Sequence, residues 1–291
     1  MITLLNHDRE AKTNPAGNRM TLPPLFASTV AVVVGFAALT APDFARAQSS
    51  EELAKKLSNP VAALISVPFQ LNYDSDLGPD DDGDRYLLNV QPVLPFSMSE
   101  DWNLISRTIL PVISQDDIIP GAGSQSGIGD IVQSVFFSPK LPTASGWIWG
   151  VGPVALLPTA SDDLLGAEKW GAGPTGVALR QTGPWTYGAL ANHIWSFAGD
   201  DDRQDVSSTF LQPFISYTTK QAVTFAFNTE STYDWEAEEW SIPLNLMVSK
   251  VVKMGNQTTS IGGGLRYWAE STDNGPEGFG FRLVFTLLFP K

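Results

Sequence analysis

The segment Gly278–Lys291, GFGFRLVFTLLFPK, decides the fold. Every second position from Phe279 is bulky and apolar: Phe279, Phe281, Leu283, Phe285, Leu287 and Phe289. Between them stand Gly280, Arg282, Val284, Thr286 and Leu288. Alternation over that length is a period of two, which marks a strand and not a helix. A strand crossing a bilayer at a tilt needs about 9 to 11 residues, with aromatic girdles at both interfaces. The segment predicts the closing strand of an outer-membrane β-barrel, with its even positions facing the lumen and its odd positions facing lipid.

The same alternation recurs upstream. Segments 61–73, 86–97, 103–113, 129–138, 147–157, 170–181, 185–197, 207–217, 221–232, 239–251, 257–269 and 278–290 read as twelve strands. In the first, Ile65, Val67, Phe69 and Leu71 oppose Ser66, Gln70 and Asn72; in the tenth, Trp240, Ile242, Leu244, Leu246 and Val248 oppose Ser241 and Asn245. One apolar and one polar face per strand is the pattern of lipid outside and water or polar packing inside.

The connections alternate in step with the strands. Asp74–Arg85, Ser114–Ile128, Pro158–Lys169, Ala198–Val206, Tyr233–Glu238 and Glu270–Glu277 are acidic and mostly long. Met98–Trp102, Pro139–Gly146, Thr182–Pro184, Thr218–Lys220 and Val252–Asn256 are short and neutral or basic. This is the asymmetry of short periplasmic turns against longer external loops. The expected fold is therefore an all-β, transmembrane, antiparallel up-and-down barrel of about twelve strands. Eight prolines, Pro68, Pro92, Pro95, Pro111, Pro153, Pro174, Pro213 and Pro243, fall inside these strands. Each removes a ladder donor, so they are expected near strand ends or bulges.

Two segments precede the barrel. Arg9, Lys12 and Arg19, the apolar run Leu25–Leu39 and the triplet Ala45-Arg46-Ala47 have the layout of a secretory signal peptide over residues 1–47, with Gln48 as mature N-terminus. Residues 48–60 contain a short helix over Ser49–Ser58, which has capping-box spacing in Ser49 and Glu52 and a stop at Asn59-Pro60. It is expected either as a plug or mouth helix or as a frayed lead-in. The net charge is −13; the leader contributes +1 from four basic and three acidic residues, leaving −14. An acidic balance opposes nucleic-acid binding. With no cysteine, disulfides, thiolate metal sites and cysteine nucleophiles are excluded.

Stretches LSNPVAALISVPFQLNYD (57–74), GIGDIVQSVFFSPK (127–140), WGAGPTGVALRQTGPWTYGALANHIWSFAGD (170–200), LQPFISY (211–217) and GFRLVFTLLFPK (280–291) resemble the bacterial outer-membrane transporter family linked to the meta-pathway of phenol degradation. The resemblance implies a Gram-negative outer-membrane barrel that moves small, hydrophobic or aromatic compounds, and it supplies no catalytic residues. Barrel proteins generally end in phenylalanine, whereas Pro290 and Lys291 follow Phe289 here.

Charged residues on strand positions are costly unless they meet water or a partner. Arg107, Glu230, Arg266 and Arg282 have lumen parity, with Arg180 near a short turn. With Asn228 and Asn245 they form either a polar constriction or a structural ion-pair network. Asp80, Asp82 and Asp84 are a weak metal-ligand pattern, because the glutamate spacing of an EF-hand is missing. A solvated loop, or ion bridging to lipopolysaccharide, is the alternative. His193 has opposite parity to Ser196, so the two do not meet on one strand as nucleophile and base, and no enzyme is expected. Tryptophans 147, 149, 170, 185 and 240 lie near strand ends, where an interfacial belt places them. No cofactor is expected. With no phosphate-binding loop, passage of a small solute is expected to follow its gradient, through an interior narrower than a porin's. A non-conducting structural barrel and, less favoured, an outer-membrane hydrolase remain as alternatives.

Overall fold

The computed structural model describes residues 49–290. The proposed leader lies outside them. The chain forms an all-β, closed, antiparallel barrel of twelve strands with one short helix at its beginning. The strands are β1 (Ile65–Leu77), β2 (Gly83–Val90, resuming at Val93–Ser97), β3 (Trp102–Asp116), β4 (Gln125–Ile128, resuming at Ile131–Pro139), β5 (Trp147–Leu157) and β6 (Lys169–Thr182). They continue as β7 (Trp185–Gly199), β8 (Ser207–Thr218), β9 (Val223–Thr229, resuming at Ser231–Asp234), β10 (Glu239–Met254), β11 (Gln257–Glu270) and β12 (Phe279–Phe289). Each pairs with the next, and β12 closes on β1 in a register that runs from Ile65 opposite Phe289 to Tyr73 opposite Phe281.

The outward face carries the apolar residues that alternation assigned to it. Phe279, Phe281, Leu283 and Phe285 are exposed, while Gly280, Arg282, Thr286 and Leu288 are buried. Outward aromatics gather in two rings. Toward the short turns, Trp102 meets Trp149 at 5.7 Å, Trp147 meets Tyr187 at 6.3 Å and Trp185 meets Tyr217 at 4.9 Å between ring centres. Toward the long loops, Tyr73 packs on Tyr86 and Phe281, Tyr233 on Trp240, and Tyr267 on Phe279. Strand β7 has Trp185 in one ring and Trp195 in the other. Ten residues of strand span about 33 Å, and at a tilt of about 40° they rise about 25 Å, the height of the apolar band of a membrane barrel.

Several strand bounds differ from those expected. The first strand begins at Ile65, not at 61, because Val61–Leu64 turn inward: Asn59 Oδ1 accepts from Val61 N at 3.0 Å, and Leu64 N donates to Ala62 O at 2.8 Å. At the other end β1 runs on to Leu77 and β3 to Asp116, so Asp74 and Arg85 belong to the wall and not to a loop. The prolines explain the interruptions. Pro92 lies in the break of β2, and Pro153 faces Pro174 across β5 and β6. β9 loses its ladder at Glu230, which has Pro243 of β10 opposite it and Pro213 of β8 one position away. A neighbour without an N–H cannot complete the ladder there.

Helix α1 (Ser50–Leu57) is N-capped by Ser49, whose hydroxyl accepts from Glu52 N at 3.1 Å. Leu53 and Ala54 pack with Ala62, Leu64, Ala222, Val251 and Leu288 at the short-turn mouth. Gln181 Nε2 donates to Lys55 O at 2.8 Å, which ties the helix to β6. At the opposite mouth, Asp130 in the break of β4 accepts from the amides of Thr159, Ala160 and Ala167 and holds the β5–β6 loop against the wall.

If the outward face lies in hydrocarbon, Leu283→Arg, at a position 52% exposed, should lower folding stability in lipid by about 2–4 kcal/mol. Urea titration of the protein in bilayers reads this, and no loss of stability would place that face in water.

Candidate functional site in the barrel lumen

The lumen is built in two chemically distinct parts. The first is an arginine–carboxylate layer contributed by β1, β2, β9, β11 and β12. Arg282 of β12 donates from Nη1 and Nη2 to Glu230 Oε1 and Oε2 at 2.9 and 2.7 Å, a bidentate pair. Its Nε donates to Asn72 Oδ1 at 2.7 Å, and Asn72 Nδ2 donates to Leu87 O. Gln212 Nε2 reaches Glu230 Oε1 at 3.4 Å from β8. Arg266 of β11 pairs with Asp74 at 3.3 Å, and Arg85 approaches the other oxygen of Asp74 at 3.5 Å. Trp268 both donates to Asp74 Oδ1 at 2.9 Å and lies under the Arg266 guanidinium, 4.4 Å from its ring centre. Asn245 Nδ2 donates to Asn228 Oδ1 at 2.9 Å beside this layer.

Arg282 and Glu230 pair one to one, whereas Arg266 and Arg85 share the single carboxylate of Asp74. Burying a charge costs several kcal/mol unless it is paired and hydrogen-bonded. The bidentate geometry of Arg282 with Glu230 meets that condition, and Asn72 uses a third donor.

The second part is apolar. Ile105, Phe136 and Leu179 are fully buried, and Val61, Val177 and Leu190 pack with them, flanked by Val93, Ile148, Phe210 and Phe214. The expected interior of water or polar packing describes only part of the lumen: over β3–β8 much of the inward face is hydrocarbon. Val61 enters from the segment after α1, and Gly150 leaves the room it needs, since a Cβ there would lie 3.1 Å from Val61 Cγ1.

Of the residues singled out from the sequence, Glu230, Arg282 and Arg266 come together, with Asn228 bonded to Asn245. Arg107 is in the wall nearby but makes a different contact, donating from Nη2 to Gln91 Oε1 at 3.0 Å. Arg180 departs from the expected set: it pairs in register with Trp147 and Tyr187, so it faces outward at the short-turn rim. Even positions of β6 are exterior, and Arg180 follows that parity. Asp80, Asp82 and Asp84 do not converge, and among the described residues no group of three or more His, Cys, Asp or Glu side chains could hold a metal. His193 Nδ1 is 2.7 Å from Thr209 Oγ1 on the outward wall, while Ser196 Oγ donates to Asp205 Oδ1 at 3.0 Å. The two are not partners. In the same loop Lys169 and Ser196 hold the Asp205 carboxyl below its ordinary value by hydrogen bonding.

Asp74, Arg85 and Trp268 were missed by sequence reasoning. Asp74 had a usable signal, because it continues the even parity of Gln70 and Asn72; its acidic surroundings made it look like a loop residue.

Comparison with known proteins gives fold-level likeness. No protein-family model matches the chain, and no curated protein matches it. Among solved structures, an outer membrane channel from Pseudomonas putida F1 superposes with a TM-score of 0.62 at 14% identity, covering 78% of this chain and 96% of that one. A Salmonella typhi outer membrane phospholipase follows with a TM-score of 0.47, 10% identity and coverages of 84% and 98%. The KdgM porin gives 0.41, 12% identity and coverages of 77% and 99%. The first supports the barrel architecture; the other two are too distant to argue from. The phenol-pathway resemblance stays a resemblance of sequence stretches.

Arg282→Ala strands the Glu230 carboxylate and should destabilise the barrel by about 3–5 kcal/mol. Adding Glu230→Gln should recover most of that loss, as a double-mutant cycle in detergent would show; additive losses would mean the pair is not coupled.

Proposed function

We propose that this protein is an outer-membrane channel through which small solutes pass down their gradients. The observation that carries this is the juxtaposition, in one closed barrel, of a charge-paired layer with an apolar layer. A side-chain network needed only to fill the lumen has no reason to divide into two chemistries, whereas a route for solutes with an apolar body and polar groups does. The apolar layer favours hydrophobic or aromatic solutes, in line with the family resemblance. Twelve strands enclose less space than the 16–18 of open porins, so passage is narrow and substrates are small.

The location follows from the exterior. An apolar wall bounded by two aromatic rings suits a bilayer, and the exported leader together with the loop asymmetry directs the long acidic loops outward, where they meet lipopolysaccharide. Divalent ions bridging those acids to lipid phosphates are part of the same proposal. A non-conducting barrel is favoured by one feature, the full burial of Ile105, Phe136 and Leu179, which narrows the lumen at their level. Helix α1 and Val61 contribute to that closure, so the resting state is narrow.

Purified protein in liposomes should admit small sugars, organic acids or phenols in swelling assays. Removing residues 49–61 should raise single-channel current severalfold, and Arg282→Ala should change ion selectivity. Liposomes that stay impermeable with both the full and the truncated protein would leave the structural barrel as the answer.

A further inference from the structure

A cavity of about 130 Å³ lies between the end of α1 and the inner wall. Its polar lining is Arg107, Lys56, Gln91, Asn59 and Ser66, and its apolar lining includes Leu64 and Val93. No aspartate or glutamate lines it, although the chain as a whole carries −13.

Arg107 sets this cavity apart. Arg85, Arg266 and Arg282 each have a carboxylate within 4 Å, but among the described residues Arg107 has none. Its one hydrogen bond goes to the neutral Gln91 side chain. A guanidinium presents five N–H donors in a planar fork, so most of its capacity is unspent. Glu230 attracts Arg107 only from beyond 4 Å and is itself engaged by Arg282; a buried cation without a contact partner is costly, and an anion that pairs with it recovers that cost. Carboxylates meet this fork in a two-bond geometry that adds direction as well as attraction.

The rest of the cavity selects the body behind the head group. Leu64 and Val93 offer hydrocarbon, and Ile105, two residues along β3 on the same face as Arg107, leads into the apolar layer. The size is comparable with the roughly 150 Å³ that holds a benzene ring in an apolar protein cavity.

We propose that this cavity binds a small amphipathic carboxylate, its head group on Arg107 and its one-ring or short-chain body against Leu64 and Val93. The binding site stands on this geometry alone; its use in choosing which solutes cross rests on the channel function proposed above. Lys56 adds a second positive charge at the entrance, partly offset by Glu52 at 3.4 Å.

Calorimetric titration of the full-length protein in detergent with benzoate, and with benzamide as the uncharged isostere, tests it. Benzoate should bind at least tenfold more tightly than benzamide, Arg107→Gln should remove that difference, and Arg107→Lys should keep part of it. Equal affinity for the two ligands, no benzoate binding, or wild-type preference retained in Arg107→Gln would each overturn the proposal. Heat-modifiable gel mobility shows whether each variant is folded; should Arg107→Gln not fold, Val93→Trp, which fills the apolar side, must abolish benzoate binding. Solute flux is read separately. Benzoate binding without any flux defeats the channel and leaves the site, whereas flux of neutral solutes without benzoate binding defeats the site and leaves the channel.

Discussion

The structure depends on closure of the backbone ladder between β12 and β1. In hydrocarbon an unpaired N–H or C=O has no water to turn to, so a sheet can span a membrane only if its last strand returns to its first. Nine residue pairs, from Ile65 with Phe289 to Tyr73 with Phe281, make that return here. Closure then dictates the rest: one face of every strand must suit lipid, and the other must fill or line a space whose width is set by strand number.

The prolines show how far the ladder can be relaxed without losing closure. They fall where the wall is interrupted, at the break in β2, opposite one another in β5 and β6, and around Glu230. Donors removed by Pro213 and Pro243 leave β9 locally unladdered, and it is there that the carboxylate paired with Arg282 is presented. The most charged point of the lumen thus coincides with the least regular backbone, and the bidentate ion pair supplies cross-lumen bonding where the wall gives least.

The two lumen layers divide the interior between kinds of cohesion. On the β9–β12 and β1 side, opposite charges attract in the Arg282–Glu230 pair and the Arg266–Asp74–Arg85 triplet, and Asn245 bonds to Asn228. On the β3–β8 side, close packing of Ile105, Phe136 and Leu179 does the same work through dispersion and exclusion of water. Between them Arg107 has no carboxylate within 4 Å and faces the cavity it shares with Leu64 and Val93, and α1 closes the short-turn mouth just beside it. A narrow barrel with one cation that lacks a contact carboxylate, next to an apolar wall, is suited to recognising a solute with both characters.

Alternation alone determined the twelve strands, the direction in which Phe281 and Arg282 point, and the inward placement of Arg107, Glu230 and Arg266, because side-chain period in an extended chain is a local steric fact. Arg180 is the exception: grouped with the lumen charges from the sequence, it faces outward on β6. Partnership was decided only by the tertiary structure. Arg282 bonds to Asn72 across 210 residues and Trp268 to Asp74 across 194, and such pairs exist only after the barrel has closed in one register. The inward turn of Val61, the docking of α1 and the apolar filling of the lumen belong to the same class: each depends on the space left between strands distant in sequence, which no local pattern encodes.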